Sequence, residues 1–296
     1  MEALLMPGQT GFVFHNDNTS PPKENSVFSL FSLKGKTAIV TGAGAGIGFA
    51  AVETFAEAGA NIALWYNSNF DAVKKAAQIS EKYGVICRAY QVNVTDEDSV
   101  IEAVDKAVRH LNGRLDIFVA NAGIPWLDGN IIDSKTDVFR NINDIDYYSI
   151  YYSAKAAGQH FRRQKLQGTT INGNKLENYN YGSFVVTSSM SGLRQLLPQC
   201  ATPYGAAKAA VTHFSRGLAV EWVNFARVNI ISPGYINTEM LSVAPDALRL
   251  PWKGKTPMGR EGTAAELKGA YLYLASDASS YTTGAEIVID GGYTLV

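Results

Sequence analysis

Cysteine is nearly absent from this chain: there are two in 296 residues, Cys87 and Cys200, far apart and without metal-ligand spacing. That scarcity argues against a disulfide scaffold and suits a reducing, cytoplasmic compartment, with both thiols as small packing residues. An excess of one charge is also lacking. Twenty-six Lys and Arg face 27 Asp and Glu, for a net charge of −1 with no basic run, so nothing electrostatic points to nucleic acid or an anionic membrane surface. No stretch is apolar enough to span a bilayer, and Met1 to Thr10 has neither the basic start nor the apolar core of a leader. No His, Cys and carboxylate cluster has metal spacing, so no metal is expected. Asn-x-Ser/Thr matches at Asn18 and Asn93 are of a kind frequent by chance, and neither is read as glycosylated.

What the chain does have is alternation. Hydrophobic residues make up 46% and charged residues 18%, ordinary for a globular protein with a sizeable core. From residue 36, short β-branched runs alternate with helical patterns: Lys36 to Val40, Asn61 to Tyr66, Val85 to Val92, Leu115 to Ala120, Ser183 to Thr187, Val228 to Ser232 and Glu286 to Asp290. Stretches such as Ile117-Phe118-Val119 and Phe184-Val185-Val186 are wholly apolar, as in a parallel sheet covered on both faces. The expected fold class is α/β, a single doubly wound (Rossmann) parallel sheet with helices on both faces, occupying residues 35–296. Residues 1–34, with Asn16, Asn18, Pro21, Pro22 and Lys23, show no sustained periodicity and read as a flexible N-terminal arm. Gln164 to Tyr181, rich in Gly and Asn, reads as a solvated surface insertion rather than a lid.

The chemistry concentrates in two places. The turn Thr41-Gly42-Ala43-Gly44-Ala45-Gly46-Ile47-Gly48 lies between an apolar strand and an amphipathic helix, the order in which free helix amides meet a pyrophosphate. At the end of the second strand, where a carboxylate would accept from an adenosine 2′-hydroxyl, stand Trp65-Tyr66-Asn67-Ser68. With no acid there to repel a 2′-phosphate, Tyr66, Asn67 and Ser68 point to NADP(H) rather than NAD. Far downstream, Tyr204 and Lys208 share one helix face behind Pro203. A tyrosine of ordinary pKa, about 10, is a poor acid-base group at pH 7, and an ammonium beside it favours its phenolate. Lowering it by about two to three units takes roughly 3 to 4 kcal/mol, more than an exposed charge pair supplies, so the site must be partly desolvated. Thr187-Ser188-Ser189-Met190-Ser191-Gly192 follows an apolar strand and brings hydroxyls to the sheet's carboxyl edge.

These pieces, with Asn121-Ala122-Gly123 and Ser232-Pro233-Gly234-Tyr235-Ile236-Asn237-Thr238, resemble the short-chain dehydrogenase/reductase family from about Lys34 to the end of the chain. More narrowly, WYNS, VANAGIPW, TSSMSG and ISPGYINTEM look like yeast NADPH-dependent carbonyl and sorbose reductases, relatives of fungal mannitol dehydrogenases. The resemblance implies that Ser189 hydrogen-bonds the substrate oxygen, with Ser188 and Ser191 as alternatives. Tyr204 would donate the proton, and Lys208 would lower the tyrosine pKa and hold the nicotinamide ribose. It assigns Gly42, Gly46, Ile47 and Gly48 to the pyrophosphate, Asn93 to the adenine side and Asn121 to the adenosine ribose region. Lys155 falls to the cofactor-side helix, and Ile236 and Thr238 to the carboxamide. One position departs: Asp146 stands where many members carry a catalytic asparagine, and would keep the proton relay, alter its pH dependence or pair with Lys208.

The expected activity is therefore NADPH-dependent reduction of a small carbonyl substrate, an aryl ketone or a ketose such as sorbose or fructose. The rivals are a mannitol- or sorbitol-type polyol dehydrogenase working in oxidation and a non-catalytic dinucleotide sensor. The substrate wall is expected from Trp126 to Asp133, Met190 to Gln199 and Tyr235 to Trp252, with Leu193, Leu196, Leu197, Pro198 and Trp252 as apolar surface. His213 reads as a packed helix histidine. Glu221 and Trp222 read as part of a subunit contact, the resemblance implying a homo-oligomer, dimer or tetramer.

Overall fold

Each apolar run forms a strand. The computed structural model describes residues 19–23, 26–199, 201–242 and 244–296, so Asn16, Asn18 and Cys200 lie outside the described residues. Strands β1 (Thr37–Val40), β2 (Asn61–Tyr66), β3 (Cys87–Gln91), β4 (Ile117–Ala120), β5 (Gly182–Thr187), β6 (Ala226–Pro233) and β7 (Glu286–Ile289) form one sheet in the order β3-β2-β1-β4-β5-β6-β7. Every pairing in it is parallel. The direction of winding reverses between β1 and β4, so their carboxyl ends diverge and open a crevice.

The main helices are α1 (Gly46–Glu57), α2 (Asp71–Tyr83), α3 (Glu97–His110), α4 (Thr136–Asn143), α5 (Ser149–Gln167), α6 (Thr202–Glu221), α7 (Asp246–Lys255) and α8 (Lys268–Ala275). Strands β1, β4, β5 and β6 are buried along their whole length, as covering of both faces requires. One core, with Val52, Phe55, Leu64 and Leu274, lies under α1, α2 and α8; the other, with Trp65, Val104, Phe161 and Val211, lies under α3, α5 and α6. Phe118 stacks on Phe184 across β4 and β5 at 5.5 Å. Trp222 packs edge-on to Phe184 within the chain at 5.7 Å. A Cβ at Gly158 would lie 2.8 Å from its ring. His213 is exposed, not packed. Cys87 is buried, and burial pushes its thiol up to about 12, which leaves it unreactive.

The expected excursion begins later than Gln164. α5 continues to Gln167 and stops where Gly168 takes φ +65°. Gln164 itself is fully buried: its amide accepts from Leu115 N at 2.7 Å and donates to Leu115 O at 2.6 Å. Beyond it, Ile171 N donates to Gly113 O at 2.8 Å and Arg114 Nη1 to Glu177 O at 2.7 Å. The segment is thus strapped beneath the amino ends of the strands, opposite the crevice. Gln164→Ala leaves the Leu115 amide and carbonyl without partners, for an expected loss of about 2 to 4 kcal/mol in urea unfolding. A loss below about 0.5 kcal/mol would mean that the side-chain bridge adds nothing over its replacement by water.

Candidate active site

The turn after β1 is shaped by steric necessity. Gly42 has φ +61°, and a Cβ there would stand 2.8 Å from Ala122 Cα; one at Gly48 would meet Asn121 Nδ2 and Gly42 O at 2.6 Å. The backbone of β4's end and the start of α1 therefore close directly on the turn. Thr41 Oγ1 accepts from the amides of Asn121 and Ala122, both at 2.9 Å, and Asn121 Nδ2 donates to Thr41 O at 3.0 Å. Ala45, just before α1, gives no side-chain cap, so the helix's first amides are free to meet an anion.

From this turn a cleft of about 410 Å³ runs along the carboxyl edge of the sheet. It is lined by Gly42, Gly46, Ile47, Gly48, Tyr66, Asn67, Ser68, Asn121, Ser189, Tyr204, Lys208, Ile236 and Thr238, so thirteen of the sixteen sequence-derived site residues meet in one cavity. The others stand elsewhere. Asn93 accepts from Thr95 N at 3.1 Å in the turn entering α3, and Lys155 pairs with Glu97 at 2.5 Å; neither reaches the cleft wall. Asp146 lies behind it, fully buried.

Between α4 and α5 the chain widens into a π-helical turn, Asp144–Tyr148, which carries Asp146 inward. Asp146 Oδ1 lies 2.9 Å from Lys208 Nζ, and Oδ2 accepts from Ile124 N at 3.1 Å. A Cβ at Gly123 would come within 2.6 Å of that Oδ1, so only glycine leaves room for the pair. Lys208, itself 3% exposed, holds its ammonium 3.4 Å from Thr187 O and 5.5 Å from the centre of the Tyr204 ring. Burial works against the Lys208 charge, yet Asp146 and Tyr204 hold its pKa above the usual lysine range. For Asp146, burial pushes the carboxyl up while Lys208 pulls it down, and burial prevails.

Three serines follow β5, and geometry separates them. Ser188 Oγ turns into α6, donating to Lys208 O at 2.9 Å and meeting Thr212 Oγ1 at 2.8 Å. Ser191 is buried and does not line the cleft. Ser189 does line it, beside Tyr204, close enough that its hydroxyl lowers the phenol's pKa. Burial raises the Tyr204 pKa above the ordinary tyrosine range; Lys208 and the nearby Ser189 hydroxyl pull it down, and Asp146 pushes it up. Lys208 thus acts in the expected direction, but the carboxylate behind it cancels part of its field. The direction of the shift favours the protonated phenol.

Beyond Tyr204 the wall is formed by Trp126, Met190, Leu196, Gln199, Tyr235, Met240 and Leu241. Leu193, Leu197, Pro198 and Trp252 do not line it. Trp252 lies behind, stacked on Tyr235 at 4.4 Å and 8°, with its indole N–H donating to Gln199 Oε1 at 2.5 Å. Gln199 Nε2 in turn donates to the Tyr235 hydroxyl at 3.0 Å. The sequence reading missed Asn69, which lines the opposite end beside Tyr66 to Ser68.

A family model described as enoyl-(acyl carrier protein) reductase matches residues 42–294. An L-xylulose reductase of Hypocrea jecorina is 55% identical over 95% of this chain and 98% of its own length. A sorbose reductase of Candida albicans is 48% identical over 93% of this chain and 92% of its own. The crystal structure of an NADPH-dependent 3-quinuclidinone reductase from Rhodotorula rubra superposes with a TM-score of 0.85 at 40% identity, covering 94% of this chain and 98% of that one.

The charge balance around Tyr204 is testable. In Asp146→Asn the negative charge behind Lys208 is gone, so the phenol should titrate at lower pH. The measurement is an ultraviolet titration of Asp146→Asn less that of Asp146→Asn with Tyr204→Phe, set against the same subtraction in the parent. An unchanged midpoint would show that the Asp146 charge is not felt at Tyr204.

Proposed function

The chain belongs to the short-chain dehydrogenase/reductase family, and from that premise we propose that residues 35–296 reduce a ketone, a ketose or an aryl ketone, to a secondary alcohol with NADPH. The observation that carries this is the meeting of Tyr204, Ser189 and an Asp146-held Lys208 in the same cleft as an uncapped, glycine-lined helix start.

The cleft fits the cofactor. Its glycine turn leaves room and free amides for a pyrophosphate, and Tyr66, Asn67 and Ser68 present no carboxylate to a 2′-phosphate. When bound, NADPH supplies the hydride. The protein's part is to hold the ketone oxygen between the Ser189 and Tyr204 hydroxyls, so that Tyr204 donates its proton as negative charge develops there. Lys208 is held by Asp146 and Thr187 O at a fixed place beside the resulting phenolate. The apolar wall from Trp126 to Leu196 keeps bulk water from the reacting carbon.

The same groups run in reverse on a hexitol or pentitol, with the cofactor ratio deciding the direction. A homotetramer in the cytoplasm belongs to the same proposal, supported by the two cysteines and by the half-exposed Tyr148, Tyr151 and Val220 on α6 and the α5 side.

Tyr204→Phe removes only the donor. It should bind NADPH with unchanged affinity while turnover falls by about 10²- to 10⁴-fold, read as loss of NADPH absorbance with sorbose, fructose and substituted acetophenones, NADH run alongside. Normal turnover in that variant would sink the mechanism, and cofactor binding without turnover of any ketone by the parent would favour a sensor.

A further inference from the structure

Positive charge is unevenly placed in the cleft. Among the described residues that line it, Lys208 is the only lysine or arginine and Glu239 the only carboxylate. The opposite end, formed by Gly44, Ala45, Tyr66, Asn67, Ser68 and Asn69, is polar but uncharged. A 2′-phosphate carries close to two negative charges at neutral pH, and amides and hydroxyls alone do not neutralise it.

The missing charge stands just behind that wall. Lys75, in the second turn of α2, places its ammonium 2.7 Å from Gly44 O, and Asn69 Nδ2 donates to the same oxygen at 3.2 Å. The ammonium also lies 5.1 Å from the centre of the Phe49 ring. Lys75 is half-buried, and among the described residues it forms no ion pair. It is thus a cation directed at the glycine turn by one carbonyl and one aromatic face, with two of its three donors to spare. Glu53 and Glu81 line a surface groove with it, yet neither pairs with it, Glu53 being held by Lys268.

We propose that Lys75 is the countercharge for the 2′-phosphate of NADP(H), selecting it over NAD(H), with Asn69 as its neutral partner. This rests on the NADPH reading above and goes beyond it, since neither the glycine turn nor the end of β2 contains a cation. An ammonium on a four-carbon stem pivots easily, and exchanging one carbonyl acceptor for a phosphate oxygen requires no backbone movement.

The test is binding, not turnover. Adenosine 2′,5′-bisphosphate and ADP are titrated by calorimetry into the parent, Lys75→Met and Lys75→Arg. Lys75→Met should bind the bisphosphate about tenfold or more weakly, as loss of a charge-assisted contact implies, with ADP affinity within about twofold of the parent. The parent's bisphosphate affinity should fall with added salt more steeply than that of Lys75→Met, and Lys75→Arg should keep most of it. Equal weakening of both ligands would assign Lys75 to stapling the turn through Gly44 and overturn the proposal, as would no weakening of either. A parent that binds the bisphosphate no better than ADP would remove the NADPH reading itself, an outcome distinct from a failure of the lysine alone.

Discussion

Two charges taken out of water together hold the catalytic end of this protein in register. Asp146 is fully buried, Lys208 nearly so, and they stand 2.9 Å apart. Either one alone at that depth costs several kcal/mol, and removing one partner of such a pair typically costs about 3 to 5 kcal/mol. The pair therefore fixes three pieces of backbone at once. The π-helical turn between α4 and α5 must carry the carboxylate inward, the start of α6 must bring the ammonium to it, and the loop after β4 must pass both with nothing larger than a hydrogen at Gly123 while lending the Ile124 amide. Tyr204, one turn before Lys208 on α6, inherits its position from this constraint.

The pair also sets the chemistry. An unopposed ammonium beside a buried tyrosine would draw it towards phenolate and make it a base. With Asp146 behind the lysine, part of that field is cancelled, and burial of the phenol prevails. A protonated tyrosine beside Ser189 suits a ketone oxygen that is gaining negative charge. The lysine is left as a fixed positive charge that stabilises the phenolate only after the proton has gone.

Local chemistry made much of this legible in the sequence. The buried strands carry their own signal, because parallel strands covered on both faces have few positions for polar residues; all seven apolar runs become strands of the sheet. The glycine turn and Tyr204/Lys208 were readable because spacing within one turn or helix fixes which side chains meet. What could not be read depends on partners distant in sequence. Gln164 looked like the first residue of a polar loop, and only the Leu115 backbone 49 residues away makes it a core residue. The Gly158 notch that receives Trp222 is on another helix, so its packing is not visible in the sequence around it. Lys75 looked like any helix lysine, since the Gly44 carbonyl it meets is 31 residues earlier. Asn93 and Lys155 follow the family pattern in sequence, yet their nearest partners, Thr95 and Glu97, hold them at the turn and helix beside the cleft.

The substrate end obeys a different rule from the rest. Gln199 is the wall's amide, and both of its polar atoms are engaged within the protein, Oε1 by Trp252 and Nε2 by Tyr235. The Trp126 indole N–H is likewise occupied, by Gly129 O at 2.8 Å. With those groups committed, the wall beyond Tyr204 offers a ligand mainly apolar surface from Trp126, Met190, Leu196, Met240 and Leu241. A site that hydrogen-bonds each hydroxyl of a sugar rejects analogues lacking one by about 10⁴-fold or more, because its own polar groups are left unpaired; an apolar wall discriminates by about 10- to 200-fold per methylene-sized difference. Because Gln199 and Trp126 are already satisfied within the protein, a ketone without hydroxyls strands neither of them. Under the proposed mechanism, selection by this apolar part of the wall rests on shape and on the single oxygen that Ser189 and Tyr204 would hold, a combination open to ketoses and to compact hydroxyl-free ketones alike.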